Sequence, residues 1–139
     1  MRGEARTILG KSWRIELTND LGERTKRYAV QIIRLCGELP KDMVAHVIGK
    51  QVLRSGTSVG AQYREARRAR SDSEFISKVE CALQELDETL YWLELLDEVE
   101  LIADDRLGAL MKESEELIAI FVSSVRTVKQ RRESKRGAS

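Results

Sequence analysis

Apolar residues return every three or four positions along four stretches of this chain, with polar residues between them. Leu21, Thr25, Tyr28, Ile32, Leu35 and Leu39 make the first stripe. Spacings of four and three predict an amphipathic helix. It starts near Asn19–Asp20, which are good N-cap residues. Pro40 ends it and suits the start of the next. A second helix is predicted from about Lys41 to Arg70, with Val44, Ile48, Val52, Ser55, Val59, Gln62 and Ala66 on one face. That stripe is weaker, because some of its members are small or polar. Ser71-Asp72-Ser73 forms the next boundary, and Glu74 suits a helix N-terminus. The third segment carries Phe75, Val79, Ala82, Leu86, Leu90 and Leu93 on one stripe. Cys81, Trp92, Leu95 and Val99 form a second ridge turned away from it. After a turn near Ala103–Asp105, the fourth stripe is Leu107, Leu110/Met111, Ser114, Leu117/Ile118, Phe121, Val125 and Val128.

Four long segments joined by short turns predict an all-α protein, an antiparallel up-down-up-down four-helix bundle over residues 19–130. A single proline and few aromatics argue against a strand-rich fold. Residues 1–18 show no clear period and are expected to form a flexible arm that Trp13 could pin. Residues 131–139 are polar and basic and are expected to be disordered. No run approaches the roughly 18 apolar residues of a membrane span, and the N-terminus lacks a signal-like apolar run. The expectation is a cytoplasmic protein with no membrane partner. Cys36 and Cys81 would then be reduced. Their spacing matches no zinc or redox motif, so each is expected to be a small buried hydrophobe.

The second helix contains Gly49, Gly56 and Gly60. Each interior glycine costs a helix roughly 1 kcal/mol relative to alanine. On a helical wheel the three fall within about 40° of one another, so they form one smooth strip. Such a strip allows another backbone or a large ring to approach closely, and Trp92 is a candidate to fill it. The alternative is a kink near residue 56. A phosphate loop is excluded: "SGTSVG" lacks the following lysine, and no strand precedes it.

The net charge of +1 conceals strong segregation. Residues 1–40 carry a net +3, residues 41–71 +5, residues 72–105 −11 and residues 106–139 +4. Lys50, Arg54, Arg64 and Arg68 lie roughly opposite the second core stripe, and Arg67 and Arg70 flank that helix's end. These cations suit a solvated face and a helix C-terminus. Equally, they could join Arg126, Lys129, Arg131, Arg132, Lys135 and Arg136, because helices two and four of an antiparallel bundle end together. A merged patch would hold phosphate backbones without reading sequence. The other candidate partner is the acidic third helix of another subunit, or an acidic protein.

No catalytic constellation emerges. His46 is the only histidine and has no companion at ligand spacing. Glu80, Glu85, Asp87, Glu88 and Glu94 are spread around their helix, without the Glu-x-x-His pattern of bundle metal sites. Ser55 and Ser58 have no evident base. The expectation is a non-enzyme with no metal and no cofactor.

Residues 51–96, "QVLRSGTSVGAQYREARRARSDSEFISKVECALQELDETLYWLELL", closely resemble the core of the bacterial four-helix-bundle proteins, also called large-subunit ribosomal RNA intervening-sequence or S23-like proteins. The matching pieces are "LRSGTSVGA" at 53–61, "EA" at 65–66, "FISKV" at 75–79 and "ETLYWLELL" at 88–96, with "ELPK" at 38–41 before them. Similarity spans roughly residues 20–125, and Gln62 stands where asparagine is common. The resemblance implies an antiparallel bundle assembled as a homopentamer. It also implies distant kinship with the accessory proteins of diversity-generating retroelements, basic pentameric bundles that bind nucleic acid and partner a reverse transcriptase. The family name records a genomic location rather than an activity. A pentamer would bury the second ridge, so Gly56, Gly60, Trp92, Leu95 and Val99 are the candidate packing or interface residues. Lys50, Arg54, Arg64, Arg67, Arg68, Arg70, Arg131 and Arg132 are the candidate nucleic-acid contacts. A protein-interaction scaffold without a nucleic-acid role is the alternative.

Overall fold

The computed structural model describes residues 10–103 and 105–138, with side chains over 20–103 and 105–137. Four helices follow one another: α1 (Gly10–Gly37), α2 (Met43–Arg67), α3 (Asp72–Glu98) and α4 (Asp105–Ala138). There is no strand among the described residues. Each helix packs on its neighbours in sequence, and α4 returns to touch α1.

The local chemistry at the helix ends is that of the sequence. Asp42 caps α2 by accepting from the Ala45 amide at 2.8 Å. Ser71 caps α3 by accepting from the Glu74 amide at 3.1 Å, and the Glu74 carboxylate reaches back to the Arg70 amide. Two helices are longer than the periodicity predicts. α1 begins at Gly10, ahead of Asn19–Asp20, so these residues are inside the helix rather than its cap. Lys11, Arg14, Glu16 and Leu17 are adequate helix formers, and no proline interrupts them. The predicted arm is therefore helical from residue 10. Its residues 1–9 and the Trp13 side chain lie outside the described residues. α4 likewise continues through Ala138 in place of the expected disordered tail. That segment is rich in Arg, Lys and Glu, and Arg131 and Arg132 are half-buried.

The core contains most of the predicted stripes: Leu21, Tyr28, Ile32 and Leu35 of α1, Val79, Ala82, Leu86 and Leu93 of α3, and Leu107, Leu110, Leu117, Phe121, Val125 and Val128 of α4. On α2 the buried face is rotated from the predicted one. It comprises Ala45, Gly49, Val52, Ser55, Gly56, Val59, Tyr63 and Ala66, while Val44 is 50% exposed. The glycines cause this shift. α1 packs directly against them, so a β-carbon on Gly56 would lie 2.9 Å from Ile32, one on Gly49 2.8 Å from Leu39, and one on Gly60 3.3 Å from Thr25. The strip is a surface for close approach and α2 stays helical across residue 56. Its occupants are Ile32 and Thr25 of α1 and Leu39 of the turn that follows; Trp92 is half-buried on α3 in an edge-to-face pair with Tyr91.

A buried hydroxyl layer ties all four helices at mid-height. Thr89 Oγ1 of α3 donates to Ser55 Oγ of α2 at 2.7 Å, and Ser55 donates to the Gln51 carbonyl at 2.8 Å. The Tyr28 hydroxyl of α1 and Ser114 Oγ of α4 are 2.6 Å apart. Ser114 donates its own proton to the Leu110 carbonyl, so Tyr28 is the donor between them. Burial is the main cause that pushes the Tyr28 phenol from 10.0 up to about 12, against the opposing pull of Ser114 and Thr89. A polar layer of this kind fixes register, since any slip would strand its hydroxyls.

Candidate nucleic-acid interface

The hydroxyl layer sets the level of each helix against the others. Ser55 of α2 and Ser114 of α4 belong to it, and further along Tyr63 of α2 stacks on Phe121 of α4 with ring centroids 5.2 Å apart. Continuing that register by about a turn places Arg67, Arg68 and Arg70 level with Arg126 and Lys129. Arg131 and Arg132 follow roughly a turn beyond. The helix α1 runs antiparallel to α4, shown by the Arg24–Glu113 pair at 2.7 Å and the Arg106–Glu38 pair at 2.7 Å. Lys26 and Arg27 of α1 adjoin Tyr28 and so stand near the level of the hydroxyl layer. The two sequence-distant basic clusters thus lie toward the same end of the bundle, on helices whose backbones do not adjoin.

The candidate cations differ in how they are held. Lys50, Arg64, Arg68, Arg70 and Arg132 make no side-chain ion pair among the described residues. Lys50, Arg64, Arg68 and Arg70 are exposed. Lys50 stands apart from the rest, toward the opposite end of α2. Arg67 lies across Gly22 of α1 and already engages a partner. Arg131 is half-buried, and its Nε is enclosed without a hydrogen-bond partner among the described residues.

Arg54 is a correction to the sequence-based set. Its guanidinium is held by Glu88 and, at 3.5 Å, by Glu85 of α3, and it also donates to Gln51. The α2–α3 register places these carboxylates beside it, so Arg54 joins two helices of its own chain instead of standing free for a phosphate. Glu85 is itself pushed upward, first by burial, with Arg54 opposing and Glu88 adding to the rise. Lys78–Glu65 at 2.7 Å and Lys129–Glu80 at 3.4 Å are further ties between helices. Exposed pairs of this kind contribute little individually.

The opposite half of the bundle is acidic and apolar at its surface. The pairs Arg54–Glu88, Ser55–Thr89 and Glu65–Lys78 fix α2 antiparallel to α3. That register brings Val44 and Val47, 50% and 54% exposed, level with Leu95 and the 57% exposed Val99. Trp92 lies about a turn away and donates weakly to Glu88 at 3.4 Å. On the other flank of α2, exposed Leu53 is level with Ile33 of α1. The sequence reading named Trp92, Leu95 and Val99 but missed Val44, Val47, Leu53 and Ile33. Of these, Val44 belongs to the predicted core stripe, and only the rotation of α2 by its glycines turns it outward.

Cys36 is half-buried, and desolvation pushes its thiol up to about 11. It is a poor nucleophile in that state. His46 is exposed at the rim of an open groove beside the α1–α2 turn. No helix among the described residues is long and apolar enough to cross a membrane.

The fold and the surface define a class: a small antiparallel four-helix bundle with one basic end and one acidic, apolar half. The sequence pattern of the 23S rRNA-intervening sequence protein family matches residues 18–123, and the chain belongs to that family. A solved structure similar to it is a protein of unknown function from the S23 ribosomal protein family of Bacteroides thetaiotaomicron VPI-5482. That protein is 38% identical, with a TM-score of 0.72 over 78% of this chain and 97% of the other. No curated protein matches the chain.

Proposed function

We propose that this protein is a non-enzymatic homopentamer that binds nucleic acid, alone or within a ribonucleoprotein, through its basic end. The observation that carries this reading is the placement of the α2 and α4 cation clusters at the same end of the bundle, where Arg64, Arg68, Arg70 and Arg132 make no ion pair among the described residues. Cations without internal partners remain available for counterion release from a polyanion. Self-association is supported by exposed apolar residues on both flanks of α2, which differ from each other and so suit the head-to-tail contact of a ring. The number five and an accessory role beside a reverse transcriptase come from the family resemblance. Repetition of a weak phosphate site around a ring would raise avidity. The acidic, apolar half favours a second reading, a scaffold that docks a protein.

The test is binding of labelled RNA and DNA at low salt by the whole protein and by an Arg68→Ala/Arg70→Ala/Arg132→Ala variant. The proposal expects binding that weakens in the variant with a shallower salt dependence. Absence of binding at low salt would favour the scaffold.

A further inference from the structure

Between α1 and α2, near the basic end, lies a cleft of about 260 Å3. Its cationic walls are Lys26 of α1 and Arg64 and Arg67 of α2. Its floor is bare, because Gly22 and Gly60 face each other's helices without β-carbons. A β-carbon on Gly22 would lie 2.7 Å from Arg67 Nη1, so that glycine is what lets the guanidinium lie across α1. Thr25, which also lines the cleft, has its hydroxyl proton committed to the Leu21 carbonyl at 2.8 Å, and Thr57 likewise to Leu53 at 2.7 Å. The side-chain donors left for a ligand are then those of Lys26 and Arg64. Glu23 is the one carboxylate in the lining, and it is exposed.

We infer that this cleft seats a backbone phosphate of a bound nucleic acid, an inference that rests on the reading proposed above. Three lines of chemistry converge. Lys26 and Arg64 come from different helices, are exposed and make no ion pair among the described residues, so they can converge on one anion. A guanidinium offers two parallel donors to phosphate oxygens, and an ammonium adds a point charge. The space suits a phosphate with part of its sugar and is too small for a helix or strand of a protein partner. Arg68 and Arg70 directly follow Arg67 of the lining, so the cleft would fix one phosphate while these outer cations follow its neighbours.

The experiment is fluorescence anisotropy of a labelled single-stranded RNA over a salt series, with the full chain. A Lys26→Ala/Arg64→Ala variant should bind more weakly. Its log–log salt slope should be shallower by about 0.7, the contribution of one lost phosphate contact on a single strand. Ala61→Glu, which keeps every cation but places a carboxylate beside Arg64 and Lys26, should weaken binding too. An Arg34→Ala/Lys41→Ala control removes two exposed charges toward the other end and should leave the slope unchanged. If wild type binds but the cleft variants match it, or if the control loses as much, the cleft assignment is overturned while the nucleic-acid reading stands. If wild type does not bind, both fall. Displacement of the RNA by inorganic phosphate beyond that by chloride at equal ionic strength, lost in the double variant, would show that the RNA competes for the cleft. Phosphate that binds the cleft without lowering RNA affinity would assign the cleft to free phosphate and overturn its assignment to a backbone.

Discussion

Ile32 of α1 stands where a β-carbon on Gly56 of α2 would have to go, its Cγ1 and Cγ2 both 2.9 Å from that position. Both residues are buried at the centre of the α1–α2 contact. Gly56→Ala would gain up to about 1 kcal/mol of helix propensity but overpack the core at a cost of about 1–3 kcal/mol. The expected net change is a destabilisation of about 1 kcal/mol. In an Ile32→Ala background the same substitution should become stabilising. Gly108→Ala is the control: its β-carbon would meet nothing within 4 Å, so it should stabilise by up to about 1 kcal/mol. Denaturant midpoints of the variants read all of these.

Tyr28 makes stability depend on alkaline pH. Its phenol titrates at about 12 in the folded chain against 10.0 ordinarily, so the native state holds that proton more tightly. The corresponding stability is complete below about pH 10 and is lost as pH rises toward about 12. Wild type should therefore lose roughly 1 kcal/mol more than Tyr28→Phe between about pH 9 and pH 11. Equal losses would show that the buried hydroxyl layer does not hold this proton.

Glu100 follows α3 with φ of 52°, the left-handed conformation that closes a helix through the Leu101 amide and Leu96 carbonyl at 3.3 Å. A side chain there costs roughly 1 kcal/mol relative to glycine. Glu100→Gly is expected to raise stability by about that amount, measured by thermal or denaturant unfolding.

Val47 and Val99 are exposed and level with one another across α2 and α3. If they belong to the proposed subunit contact, Val47→Asp/Val99→Asp should yield monomers by light scattering, with helical content unchanged. An unaltered oligomer would place the contact elsewhere.

Much of this was legible before any coordinates. A 3.6-residue period with buried Leu, Ile and Val needs only local sequence, and the α1, α3 and α4 stripes follow it. The caps at Asp42 and Ser71 are short-range chemistry too. What periodicity misses is information held by another helix. Val44 has a core residue's spacing, yet α1 pulls Gly49 and Gly56 inward and turns Val44 out. Arg54 has an exposed residue's spacing, yet Glu85 and Glu88 of α3 claim it. That the α2 and α4 cation clusters share one end was readable, because antiparallel topology alone requires it. The cleft at Lys26 and Arg64 was not, because Gly22 has no meaning in sequence until Arg67 lies over it.

The most direct test of the central claim is the affinity of the intact protein for single-stranded RNA between about 50 and 200 mM salt. The account predicts a steep log–log decline that Arg54→Ala leaves unchanged and that substitutions at Arg64, Arg68 and Arg70 make shallower. No binding at the lowest salt, or an affinity indifferent to salt, would contradict it.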